Sequence, residues 1–135
     1  DLIKLLDNEK RNEIDSILKC LDFKRNCELS KKKIVNKILN FKKDNFKICG
    51  YGATSKSTTI LNYCNIGNEM IDFICDNTPE KISKFSPGTH IPIVPMKQFH
   101  ESLPYATYLF SWNHKDEIFK KEENYKGKWF SHIDI

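Results

Sequence analysis

The chain has 135 residues, a net charge of +4 and an apolar fraction of 39%, which suits one soluble globular domain. No apolar run approaches the roughly 20 residues of a membrane span, so no membrane partner is expected. The positive excess is almost all lysine, with only Arg11 and Arg25 to offer the forked contacts that read guanine edges and phosphates, so no nucleic-acid partner is expected either.

Residues 1–44 read as a helical arm. Leu2, Ile3, Leu5 and Leu6 begin an apolar stripe that Ile14, Ile17, Leu18 and Leu21 continue. Ser30 is placed to cap a second helix, in which Ile34, Val35, Ile38 and Leu39 recur with helical spacing. Lys31, Lys32 and Lys33 would then occupy its first turn, where the helix dipole disfavours cations.

From Phe46 the pattern changes to short strands and helices. "FKICG" predicts a strand ending at Gly50, and Ser57 to Asn65 a helix stopped near Gly67. "MIDFICD" predicts a second strand ending at Asp76. A loop follows, punctuated by Pro79 and by Pro87-Gly88. "THIPIVP" is extended, and Pro92 denies it a central ladder position. Met96 to Ser102 is a short helix, "ATYLF" a strand, His114 to Tyr125 a helix, and "KWFSHIDI" a closing strand. Strands alternating with helices predict an α/β, Rossmann-like parallel sheet over 45–135.

The five cysteines are odd in number and contain no C-x-x-C pair, which points away from a disulfide framework and from a zinc site. Cys49, Cys64 and Cys75 fall in apolar runs and are expected as buried thiols of a cytoplasmic protein. The chain opens at Asp1 inside an expected helix and shows no signal-peptide pattern. It is expected to be a piece of something longer.

The strand–turn–helix "KICGYGATSKSTTILNYC" carries the main chemical signal. Free amides at a helix N-terminus make an anion seat, helped by the dipole. Gly50 and Gly52 fit the first two glycines of G-x-G-x-x-G, but the third position is Ser55, so the dinucleotide fingerprint is incomplete. Asp76 ends the second strand, where an acidic side chain commonly holds a ribose hydroxyl. Lys56 could meet a phosphate or stand in solvent. Ser55, Ser57 and Thr58 could donate to phosphate oxygens or only to helix-terminal backbone. Trp112 and Asn113 follow the third clear strand, on the side where α/β sheets bind ligands. There the tryptophan could stack on a ring and the asparagine read an amide edge, or the two could simply cover the sheet and cap a helix. His90, beside Pro87-Gly88-Thr89, is a ligand contact or a turn residue. His100 and His132 look incidental.

Three ordered blocks, "GYGATSKSTTILNYC", "IDFICDNTPEKISKFSPGTHIPI" and "SWNHKDEI", resemble the C-terminal domain of S-adenosylmethionine-dependent sugar C-methyltransferases. The resemblance covers about Phe46 to Ile135. It implies a domain that helps bind a nucleotide-linked sugar, while a zinc domain and an S-adenosylmethionine-binding catalytic domain lie elsewhere in the parent chain. The helical arm would link to that methyltransferase domain, which is an expected partner. The positions matching the family pattern are Gly50, Tyr51, Gly52, Ala53, Lys56, Asn62, Asp76, the Pro87-Gly88 loop and Trp112-Asn113. The sequence departs at Ser83, where the family often has glycine.

The expected site therefore comprises Gly50, Tyr51, Gly52, Ala53, Ser55, Lys56, Ser57, Asp76, His90, Trp112 and Asn113. No catalytic residue, metal ligand or cofactor is assigned to the chain itself; S-adenosylmethionine and zinc are expected in the parent. Two other readings remain open: a nicotinamide-dinucleotide module, and an assembly domain whose turn only shapes the fold.

Overall fold

A computed structural model describes residues 1–134. Two helices lead, α1 (Leu2–Arg11) and α2 (Ile17–Lys43). The rest alternates: β1 (Ile48–Tyr51), α3 (Ser55–Cys64), β2 (Phe73–Asp76), β3 (Ile93–Pro95), α4 (Met96–Ser102), β4 (Ala106–Leu109), a 3₁₀ turn (Trp112–His114), α5 (Lys115–Lys121) and β5 (Lys128–Phe130). Ile135 lies outside the described residues.

The five strands are all parallel, in the order β3-β2-β1-β4-β5. This is a Rossmann-like sheet, and the strand order reverses between β1 and β4. β3 stands at the edge, the position to which Pro92 confines its strand.

Period-2 alternation sends side chains to two cores. Ile48, Ile74, Tyr108 and Phe130 face α2 and α3. Cys49, Tyr51, Phe73, Cys75 and Leu109 face α4 and α5. Cys49, Cys64 and Cys75 are buried free thiols, and burial pushes the Cys64 and Cys75 thiols up from their ordinary range.

The arm differs from expectation in one respect. Ser30 caps nothing, because α2 runs unbroken through it. No glycine or proline lies between Asp1 and Cys49 to interrupt the helix, and Ser16 supplies the cap, its Oγ accepting the Lys19 amide at 3.2 Å. Every residue of α1 is exposed, whereas Ile34 and Ile38 near the end of α2 are fully buried. Phe41 meets Tyr105 and Phe130 edge-on, with ring centroids 5.7 and 5.6 Å apart. Asp72 pins the end of α2 to the sheet. Its carboxylate accepts Lys42 Nζ at 2.9 Å and the Ile48 amide at 2.8 Å.

α3 ends at Asn65, the last residue of the expected helix, and Asn65 rather than Gly67 makes the stop by taking the left-handed conformation (φ 54°, ψ 47°) that asparagine visits more readily than most residues. Its start is Thr54. The Thr54 Oγ1 accepts the Ser57 amide at 3.2 Å, and Ser57 Oγ accepts the Thr54 amide at 3.0 Å. Two end amides are thereby satisfied reciprocally, as in a capping box. Thr54→Ala is expected to lower the unfolding free energy by about 1 kcal/mol, read as a lower urea midpoint at unchanged m-value.

Candidate functional site

The carboxyl ends of β1, β2 and β4 meet at one rim, and the turn between β1 and α3 lies across it. Gly52 at φ +91° makes that turn possible. A Cβ there would run into Ser111 Oγ, just past β4. A side chain at this position would therefore be both strained and in collision. Gly50 lies inside β1, where its backbone packs directly under the Phe110 ring.

Asp76 holds the turn from below. Its Oδ2 accepts the Ala53 amide at 2.7 Å, its Oδ1 accepts the Thr78 amide at 2.8 Å, and Lys81 Nζ stands 3.5 Å from Oδ2. Asp76 is 8% exposed. Burial by itself pushes the carboxyl up. The Thr78 side chain and amide, the Ala53 amide and the Lys81 ammonium outweigh that, and the group titrates below the ordinary aspartate range.

The mouth of α3 is thus partly closed by the chain's own groups. Asp76 takes the Ala53 amide, and the capping pair takes those of Thr54 and Ser57. Ser55 and Lys56 occupy the first two helical positions, where amides have no intrahelical acceptor. The Lys56 ammonium sits 6.0 Å from the Trp112 ring. Asn113 is exposed in the 3₁₀ turn.

A cavity of about 320 Å³ opens beside this turn, on the side of α4 and α5. Tyr51, Gly52 and Asp76 line it, together with Asn77, Ser111, His114, Glu117 and Lys121. His114 Nδ1 and Glu117 Oε2 are 3.7 Å apart. A second cavity of about 340 Å³ lies on the other side of the turn, between the start of α3 and the loop 77–92.

The expected site residues divide accordingly. Gly52 and Asp76 line the first cavity, and Ala53, Ser55 and Ser57 the second. Lys56 and Trp112 come together near the rim. Tyr51 also touches the first cavity, but its phenol is turned inward. The hydroxyl donates to Glu122 Oε1 at 2.9 Å, and burial and then that carboxylate push the phenol well above its ordinary range. His90 is exposed at φ 54°, in the tight turn after Pro87-Gly88, and lines neither cavity.

Several contributors carry no clear sequence signal. Asn77, His114 and Lys121 reach the first cavity only through strand order. His100, which looks incidental in the sequence, lies 2.7 Å from the buried carboxylate of Glu122. Thr54 was legible only as a hydroxyl three residues before Ser57.

The loop 77–92 folds back as a ribbon. Ser83 donates to the Ile93 carbonyl at 2.9 Å, and Ile93 to that of Lys84 at 2.8 Å. Ser83 sits at φ +65°, a left-handed position that explains a glycine in the family pattern. Asn62 Nδ2 donates to the Pro87 carbonyl at 2.9 Å and ties this loop to α3.

The model of the C-methyltransferase C-terminal domain family matches residues 1–133. C-methyltransferase NovU from Streptomyces niveus is 34% identical over 82 residues, which cover 61% of this chain. The same match covers 20% of NovU, so the chain spans about a fifth of the length of the curated relative it matches.

Proposed function

The chain belongs to the C-methyltransferase C-terminal domain family, and from that premise we propose that it binds a nucleotide-linked sugar and positions it for methyl transfer elsewhere in a larger enzyme. The reaction would move a methyl group from S-adenosylmethionine to a sugar carbon made nucleophilic by deprotonation beside a keto group. This chain contributes orientation, which can be worth several kcal/mol of a barrier.

The observation that carries this reading is the cavity at the strand-order reversal, outside the carboxyl ends of β1, β2 and β4. Open α/β sheets bind their ligands there. Its volume of about 320 Å³ lies at the low end of the roughly 300–1,000 Å³ usual for ligand pockets and suits a monosaccharide unit better than a whole nucleotide sugar. Its lining mixes carboxylates, an amide, a hydroxyl and an amine over an apolar floor of Met96 and Ile118, a set that hydrogen-bonds hydroxyl groups. The Ser55 and Lys56 amides, with the Lys56 ammonium, would take phosphate oxygens. Asp76 contributes by holding the turn that presents these amides, its carboxylate being engaged by Ala53, Thr78 and Lys81.

S-adenosylmethionine and zinc belong, on this reading, to the rest of the enzyme, because the residues present fit neither. Among the described residues no three His, Cys, Asp or Glu side chains converge as metal ligands. The carboxylate at the end of β2 is already engaged by the chain's own donors, and the third glycine of the dinucleotide fingerprint is Ser55.

The test is a titration of the 135-residue chain with thymidine diphosphate glucose, following backbone amides. Shifts are expected at Gly52 to Ser57 and at Ser111 to His114. Silence at millimolar ligand would overturn the reading.

A further inference from the structure

A sugar-sized cavity leaves the nucleoside to be placed. We propose that the nucleoside diphosphate end of the ligand occupies the second cavity, with its base stacked on Phe85 and its phosphates beside Lys84; this rests on the nucleotide-sugar reading above and deepens it.

Phe85 is 62% exposed. It is nonetheless held on stiff backbone, because the ribbon bonds of Ser83, Lys84 and Ser86 to Ile91 and Ile93 flank it and it pairs with Pro92 in an antiparallel bridge. An aromatic ring presented on a fixed ribbon over a cavity of about 340 Å³ offers a stacking face at little cost in side-chain entropy. Every base has a π-face to match it.

The charges around the cavity also suit a phosphate. Lys81 and Lys84 line it, with Glu80 as the opposing carboxylate. Lys81 is engaged by Asp76 at 3.5 Å. Lys84 has no ion-pair partner among the described residues. Ser55 lines the same cavity, so a diphosphate on its amide lies between Lys84 and the turn at Gly52. The turn separates the two cavities: Gly52 and Asp76 line the first, and Ala53 and Lys81 the second. A ligand crossing the turn with its diphosphate would place its sugar in the first cavity and its base in the second.

The test uses thymidine diphosphate, which lacks the sugar, against the 135-residue chain and its Phe85→Ala, Phe85→Trp and Lys84→Ala variants. Phe85→Ala is expected to weaken binding on the order of 5- to 150-fold, the range that loss of one base–aromatic stack gives. Phe85→Trp should keep the affinity, with quenching of the added indole. Lys84→Ala should weaken thymidine diphosphate and leave thymidine unaffected. Phe85 and Lys84 are exposed, so the variants keep the fold, which circular dichroism checks. Equal affinity of wild type and Phe85→Ala would overturn the subsite. If thymidine diphosphate glucose still moves the amides of Ser111 and His114 in that case, the nucleotide-sugar reading survives and only the placement of the base falls. If neither ligand moves any amide, both fall.

Discussion

Ile38→Ala is expected to lower the unfolding free energy by about 2–5 kcal/mol, the usual cost of emptying a fully buried aliphatic site. Ile38 has no exposed surface and packs in the core shared with Ile48, Tyr108 and Phe130. Total stability of a domain is only about 5–15 kcal/mol, so Ile34→Ala combined with Ile38→Ala should leave little folded protein. Deleting residues 1–44 should leave no cooperative transition at all. The reason lies in the layers. α3 covers one part of its sheet face, and the second half of α2 covers the part formed by β4 and β5 through Phe41, Ile34 and Ile38. The exposed half of the arm gives the control. Leu5 and Ile17 are more than half exposed, and their replacement by alanine should change stability by no more than about 0.5 kcal/mol. Urea unfolding followed by circular dichroism checks all of these, and a small loss at Ile38 would show that α2 is an appendage of the sheet rather than one of its layers.

Asp76→Ala is the second large effect, with an expected loss of about 2–5 kcal/mol. It strips the acceptors from the Ala53 and Thr78 amides, each worth about 1–3 kcal/mol when left unsatisfied. Asp76→Asn should cost less, since its amide oxygen can still accept one of them. The pH dependence has a definite sign. The folded carboxyl titrates below its unfolded value of about 3.9. Its stabilisation is therefore fully present well above that value and is lost as pH falls through the folded pKa. The stability difference between wild type and Asp76→Ala should be constant from about pH 7 to 5 and shrink progressively below about pH 4. A difference that does not change with pH would show that the ionised carboxylate is not what holds the turn. Because Asp76 also borders the first cavity, a loss of ligand binding in these variants reports the turn's geometry together with any direct contact. Phe85→Ala is free of that ambiguity.

Much of the architecture was readable along the chain. The switch from helical to two-residue periodicity near Phe46 marked where the sheet begins, Pro92 marked an edge strand, and the apolar setting of Cys49, Cys64 and Cys75 marked buried thiols. Boundaries slipped where several neighbouring residues could serve as the cap. Ser30, Ser55, Ser57 and Gly67 were all chemically able to begin or end a helix. The structure uses Ser16 for α2, Thr54 with Ser57 as its reciprocal partner at the start of α3, and Asn65, the expected last residue, as its stop.

What the sequence determines by itself is local: which stretches are strand or helix, which face of each is apolar, and that a tight glycine turn opens a helix beside an acidic strand end. Its family membership is equally legible, because three ordered blocks survive in the one-dimensional text. Tertiary structure alone decides the strand order β3-β2-β1-β4-β5, the burial of one half of the arm and not the other, the binding of Asp76 to the chain's own amides, and the meeting of His114 and Lys121 with Asn77 around one cavity. The physical reason is that periodicity specifies a face but not its partner. A carboxylate's hydrogen bonds and a cavity's walls are set by residues brought together from distant parts of the chain, at separations that no local pattern encodes.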